Sequence, residues 1–337
     1  NRNARVPETR DERTPTAMTA SLLLGTAIAG LRIAAPSVGQ VVSPQDGAIL
    51  RFVDCKTQQK VVLVGSMHYN PRSIQLAAEA VRAEAEAGTL RSVVVESCPT
   101  RWNNTMKNQP KGTFLRSLFD NEMQAAAEVA EECGCPVALG DQAIEDTARR
   151  MAQLTGATMV EVLTPFSGGW NRIGDDLRAG VGQLAAPRSN GVSLLTLLQP
   201  ELLLGTPIAL FRYPTSIAIK SPAIFALLVA VIALGLAYPA DPSLVDGAGD
   251  EIYLELVEAL AFAVLETIFL GRVFLVGLLE ERNYVLARNI RRAATARAES
   301  GTGKPGSIRR SGRTVVAILG MAHLNGVRQI LTTSRVV

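Results

Sequence analysis

The sequence predicts an α/β fold, with a mostly parallel or mixed central sheet built from two related halves and a helical, apolar insertion between them. Three observations carry this expectation. Short β-branched runs alternate with segments of helix length, two of those runs end in the same Gly-x-x-His-x-Asn pattern, and the stretch between them is glycine-rich or apolar. The 337 residues exceed one domain of about 150, and 47% apolar with 19% charged residues leaves ample material for a core. A net charge of +3 with only 5% aromatic residues excludes a nucleic-acid binder that relies on a basic surface and base stacking. Four cysteines, Cys55, Cys98, Cys133 and Cys135, are too few for a disulfide scaffold and favour a reducing, intracellular compartment. The mean hydropathy of +0.19 points to a membrane-contacting part.

Residues 1–40 read as a disordered or targeting leader. Arg2, Arg5, Arg10 and Arg13 mix with Glu8, Asp11 and Glu12 without an apolar period. The apolar run Ala20–Leu31 is too short to span a bilayer. It suits the end of a cleaved targeting segment, although the acidic residues argue against a standard transit peptide.

Residues 41–160 read as the first half of the α/β domain. Lys60–Val64 is a strand followed by Gly65. Asn70-Pro71 supplies a cap and a first-turn proline for a helix to about Ala87, which Gly88 closes. Ser92–Glu96 is a second strand, Asp120 or Asn121 caps a helix to Cys133, and Gly134 ends it. Pro136–Gly140 is a third strand, and Ile144–Leu154 returns to helix.

Residues 161–250 are the insertion. Gly168, Gly169, Gly174, Gly180, Gly182 and Pro187 predict a loop-rich stretch from Pro165 to Gly191. Ser221–Ala240 carries no charge over 20 residues, enough to cross about 30 Å of hydrocarbon. Ser193–Phe211 is also apolar, broken by Pro200, Glu201 and Pro207. The two could pair as a membrane hairpin within 193–240; a buried helix or an oligomer interface is the equal alternative. Residues 251–337 hold a long helix from Glu251 to Ala298, a flexible linker Ser300–Gly312, a fourth strand Arg313–Leu319 and a terminal helical stretch. Glu258, Glu266 and Arg272 make the apolar part of the long helix, Glu255–Leu279, a core element by expectation.

The chain has two histidines, and both sit in the repeated pattern: Gly65-Ser-Met-His68-Tyr-Asn70 and Gly320-Met-Ala-His323-Leu-Asn325. With 28 glycines in the chain, one histidine acquires this glycine and this asparagine by chance about three times in a thousand. Ligands of parallel sheets bind beyond the carboxyl ends of strands. Here those ends carry His68, Glu96, Asp141 and His323, a set suited to metal ligation or acid–base work. A strand-terminal Asp or Glu alone is more often a cap; the paired histidines promote Glu96. Arg101 is a candidate anchor for an anion or for the carboxylate. Arg282, in a charge run on the long helix, reads first as solvated. Cys133-Gly-Cys135 has neither thioredoxin nor zinc spacing and reads as helix-end packing. Trp102 and Trp170 fall in no pattern.

These pieces, with Glu128–Cys135 running into Leu139–Ile144, Glu281-Arg282-Asn283 and Gly326, are strung from about residue 60 to 334 in an order that resembles the TraB/PrgY (TraB-domain) family, related to Tiki, GumN and erythromycin-esterase-like proteins. Gln142 departs from the arginine of many members, and the Ser193–Ala240 insertion has no match in the pattern. The resemblance implies His68, Glu96 and His323 as site residues, then Arg101, then Asp141 and Arg282, with Asn70, Asn325, Gly65 and Gly320 as further motif positions. Tiki-type relatives are metal-dependent proteases, and the esterase-like ones use a histidine as general base. Eukaryotic TraB members are tied to organelle membranes, so a membrane-associated place in a chloroplast or mitochondrion is implied.

The leading expectation is therefore a hydrolase of peptides or esters. In one version His68, Glu96 and His323 bind Mn, Co or Zn and a water whose pKa falls toward about 7. In the metal-free version one histidine is the general base and Glu96 fixes its tautomer. The other expectation is a non-catalytic, membrane-associated protein that binds or sequesters a peptide or small ligand, with haem ligation as a remote variant. If both histidines share one site, the chain between them crosses a membrane an even number of times.

Overall fold

The computed structural model describes residues 48–185, 191–193, 196, 198–220, 249–296 and 313–333, with isolated helical positions between 222 and 233. The expected leader, the 300–312 linker and most of Ser221–Ala240 lie outside them.

The structure is an α/β fold around a five-stranded mixed sheet. The strands are β1 (Ile49–Val53), β2 (Lys60–Ser66), β3 (Leu90–Val95), β4 (Val137–Leu139) and β5 (Thr314–Gly320), in spatial order β1-β2-β5-β3-β4. Only β1 is antiparallel, paired with β2 from Ile49↔Val64 to Val53↔Lys60. β5 lies between β2 and β3, parallel to both, with Val61↔Val315 on one side and Val93↔Val316 on the other. Helices cover both faces, so β2 and β5 are nearly continuous apolar runs, buried from Val61 to Ser66 and from Thr314 to Gly320.

The period of two sorts these side chains into two cores. Val62, Val64, Val93, Val95 and Ile318 pack against α1 (Pro71–Glu86) and α4 (Glu122–Glu132). Val61, Leu63, Val94, Val315 and Leu319 pack against α9 (Glu281–Thr295) and α10 (Leu324–Thr332). Each fully buried Leu or Ile contributes about 1.5–3 kcal/mol. Local signals set the helix ends as expected: Asn70 caps α1, Asn121 rather than Asp120 caps α4, and Gly88 and Gly134 follow at φ +70° and +66°.

Several elements differ from the sequence expectation. β1 and two short helices, α2 (Pro99–Asn108) and α3 (Phe114–Leu118), carry weak patterns and were not anticipated. The helix expected to end at Leu154 runs on to Leu163 as α5 (Ile144–Leu163), and the glycine-rich 165–191 stretch holds a 16-residue helix, α6 (Gly169–Leu184). Gly180 is a contact point: a Cβ there would lie 2.6 Å from Leu275 Cβ, so the residue lets two helices close together. The Ser193–Phe211 segment is not a separate apolar arm. It falls largely within α7 (Pro200–Lys220), which continues through Pro207 and Pro214.

The long helix comprises α8 (Gly249–Arg272), a π-helical segment Val273–Glu280 and α9. Two helices, Pro200–Lys220 and Leu260–Thr295, are long and apolar enough to cross a membrane by length and composition. Neither specifies an organelle. The outer part of α8 leaves Val257, Leu260, Phe262, Val264 and Leu270 exposed, against the expectation of a core helix. Its lower end is clamped to α5 and α6, where Arg272 is buried and pairs with Glu161 and with Asp176.

Candidate functional site

Because β5 sits between β2 and β3, the residues just past the ends of these three adjacent strands meet. β2 ends at Ser66 and leads to His68, β3 ends at Val95 and is followed by Glu96, and β5 ends at Gly320 just before His323. A Cβ built on Gly320 would be 3.3 Å from Glu96 Oε2 and 3.7 Å from both His68 Nε2 and His323 Cδ2. The two imidazoles therefore stand no more than twice that last distance apart, over one carboxylate. Gly320 is needed for room, since its φ of −57° demands no glycine.

Glu96 is buried, and each of its oxygens has a donor. The Gly320 N–H donates to Oε2 (2.6 Å) and Arg282 Nη2 to Oε1 (2.5 Å), with His323 Nε2 3.4 Å from Oε1. Burial pushes its pKa up, but His323, Arg282 and His68 outweigh that and hold the carboxyl well below the usual range. Asp141, buried just past β4, accepts from Arg282 Nε (2.9 Å) and Nη2 (2.7 Å) and from Arg101. Arg282 thus belongs to the site as a bridge between two carboxylates rather than to a solvated face. The π-helical turn ends one residue before α9, whose first turn carries Arg282 and Asn283 to the strand ends.

The histidines have different second partners. His68 Nδ1 meets Glu122 Oε1 at 2.5 Å, and that carboxylate also accepts from Ser66 Oγ (3.2 Å) and the Tyr69 N–H (3.2 Å). Burial around the ring pulls the His68 pKa down, but Glu122, with Glu96 behind it, raises it to about 9. At neutral pH His68 is an imidazolium, with 36% of its side chain open to solvent. Glu122 is itself pushed up by burial and, on balance, lowered by His68. His323 instead donates from Nδ1 to Asn283 Oδ1 (2.7 Å), whose amide N–H₂ is turned toward Gln183 Oε1 (2.7 Å). This fixes the tautomer and leaves His323 Nε2 free to accept a proton. Glu122 and Asn283, not Glu96, orient the rings. Glu122 carries no signal in the sequence, since an acid in the first turn of a helix is ordinary.

Other expected residues have structural places. Asn70 accepts from the Arg72 N–H and donates to the Leu202 carbonyl, tying α7 down. Asn325 holds the Leu184 and Val192 backbone. Gly65 packs under Leu324, with a Cβ position 2.5 Å from Leu324 Cδ1. The asparagine half of the repeated pattern therefore anchors the insertion.

α7 roofs the site. Tyr213 stacks parallel to His68 (ring centres 6.1 Å), Ser216 Oγ lies 2.7 Å from Tyr69 Oη, and Lys220 Nζ donates to Tyr69 Oη (3.1 Å). Tyr69 holds φ +62°, a left-handed conformation unusual for a bulky residue, kept by its N–H to Glu122 and its hydroxyl to α7. Leu202 near one end of α7 and Lys220 at the other touch the adjacent residues Asn70 and Tyr69. α7 is therefore tied at both ends to the turn that carries His68.

Arg282 occupies Glu96 Oε1, while His68 and His323 use Nδ1 on Glu122 and Asn283 and keep Nε2 toward the gap; among the described residues no group of three or more His, Cys, Asp or Glu is disposed to hold a metal. The chain matches no protein-family model and no curated protein.

Proposed function

We propose that the protein is a TraB-like hydrolase of peptides or esters that works by paired imidazoles. The observation that supports it most is the pair of rings over Glu96, one held by a carboxylate and the other by an amide. Their different partners assign them different roles. His323 Nε2 takes a proton from water, and Glu96 stabilises the resulting imidazolium. His68, already cationic, faces the same gap with Nε2–H and donates to the developing oxyanion or leaving group. Arg282 holds Glu96 in place and, with Arg101, Asp141.

Purified full-length protein, assayed on peptide and ester libraries, should lose activity at least about a hundredfold in either His68→Ala or His323→Ala. Bound Mn, Co and Zn should be substoichiometric and unrelated to activity. Metal at one per chain that disappears with His68→Ala would restore the metal-dependent version. Ligand capture that survives Glu96→Gln, without product from wild type, would favour a sequestering protein instead.

We further propose membrane association through the exposed apolar part of α8. Val257, Leu260, Phe262, Val264 and Leu270 support it, since monomeric soluble proteins rarely expose so much contiguous apolar surface. An organellar membrane is the setting that the family resemblance suggests. Carbonate extraction should leave the protein in the pellet; full release into the supernatant would overturn the proposal.

A further inference from the structure

The polar groups around the site balance except at one place. Glu122 is paired with His68, Glu96 with Arg282, and Asp141 with Arg282 and Arg101. Lys220, at the last turn of α7, is half-buried and meets the Tyr69 hydroxyl at 3.1 Å and the Tyr69 ring at 5.7 Å. No carboxylate among the described residues pairs with it directly, and the one that acts on it, Glu122, is already paired with His68. Burying an ammonium without a counter-charge is costly, whereas a lysine in free solvent pays nothing for having none. The position is therefore explained if an anion arrives from outside.

The surroundings fit a ligand. Ser216 Oγ and Tyr69 Oη stand 2.7 Å apart next to the ammonium and offer two hydroxyls, and Tyr69 is held in its left-handed conformation with its hydroxyl at this spot. The mouth between Tyr213, His68 and Arg101 is open to solvent. From Lys220 the way to the imidazole passes the Tyr69 ring (5.7 Å), then Tyr213 (6.1 Å), then His68 (6.1 Å). That is a distance an extended peptide of at most about five residues covers.

We propose that Lys220, with the Tyr69 and Ser216 hydroxyls, docks a carboxylate of the substrate and so holds the bond to be cleaved beside the histidine pair. One surplus positive charge matches one carboxylate, whereas a phosphate dianion would reverse the balance. The role of this anion as substrate rests on the hydrolase reading; its charge does not. Because α7 belongs to the insertion that the family pattern does not match, the preference is a property of this chain.

The test compares binding of an acetylated tetrapeptide with a free C-terminal carboxylate and of its C-terminal amide, by calorimetric titration of the full-length protein at pH 7. The free acid should bind at least tenfold more tightly, Lys220→Met should remove the difference, and Lys220→Arg should restore most of it. Inorganic phosphate should compete less well than acetate at equal concentration. Equal binding of acid and amide to wild type, or a preference that persists in Lys220→Met, would overturn the proposal, and stronger competition by phosphate would overturn its assignment to a carboxylate. Preference for the acid without any cleavage would sink the hydrolase reading and leave the docking site standing. Cleavage without preference would do the reverse.

Discussion

Replacing Glu122 by Gln keeps the shape of the buried side chain and removes its charge. The single amide oxygen can replace Oε1, which takes Ser66 Oγ and His68 Nδ1, or Oε2, which takes the Tyr69 N–H, so one of these contacts goes with the charge. The lost charge is the counter-charge of His68. A rise from 6.5 to about 9 corresponds to about 3 kcal/mol of preference for the charged ring at 1.36 kcal/mol per pKa step. With 36% of the His68 side chain open, solvent screening brings this to about 1–2 kcal/mol. The chain has only two histidines, so NMR resolves both imidazoles, and a His323→Gln variant assigns them. In wild type His68 should titrate near 9; in Glu122→Gln it should fall to 6.5 or below, because burial then acts with less opposition. The sign of the stability effect follows. The raised His68 pKa stabilises the fold fully below 6.5 and loses that contribution as pH rises through about 9. The lowered Glu122 pKa stabilises above 4.5 and is lost as pH falls. Urea midpoints should thus decline on the alkaline side in wild type and not in Glu122→Gln. A His68 midpoint that stays near 9 in the variant would refute the dyad.

Gly320→Ala should lower the thermal midpoint only slightly, since the new methyl is tight against Glu96 Oε2 alone (3.3 Å), yet reduce turnover at least tenfold by filling the gap between the rings. Gly65→Ala should do the opposite, costing about 1–2 kcal/mol because Leu324 and the Ala48 carbonyl crowd the same position; urea denaturation reads both. Arg272→Met should destabilise by about 3–5 kcal/mol, because Glu161 would be left partly buried without one of its cations and Asp176 without its partner. If chemical denaturation shows a change below about 1 kcal/mol, the clamp between α8 and the α5–α6 pair is not what holds these helices. Glu96→Gln should abolish activity and also lower stability, since Arg282 would lose one of its two carboxylates.

The strands were legible because a sheet covered on both faces must be written in consecutive β-branched residues, as in Lys60–Val64 and Thr314–Leu319. Strand ends were legible for the same reason: polar residues appear where the buried run stops, which is how His68, Glu96, Asp141 and His323 stood out. The partners of those residues were not. Glu122 opens an amphipathic helix, where an acid is ordinary, and Asn283 follows a charge run. Only the fold shows that one faces His68 and the other His323. The glycines of α6 misled because glycine favours loops in isolation, whereas here it lets helices touch at Leu275. Pro207 misled in the same way. A proline breaks a free helix, but α7 is held by contacts to α1 and to the site.

The sheet order adds a constraint on how the site forms. β5 is the last strand in the chain and the middle strand in space, so β2 and β3 have no shared neighbour until it inserts between them. Until then both present unpaired backbone and apolar faces, and the contacts that close the sheet join residues very far apart in sequence. His323 arrives on the same segment, and Gly320 brings the backbone N–H that holds Glu96. Closing the sheet and completing the candidate site are therefore one event. Removal of residues 313–333 should not yield a folded, inactive domain. It should yield a chain without cooperative unfolding, and binding of a separate 313–333 peptide should restore the cooperative transition and the His68 titration together. Recovery of one without the other would show that the site and the sheet are independent.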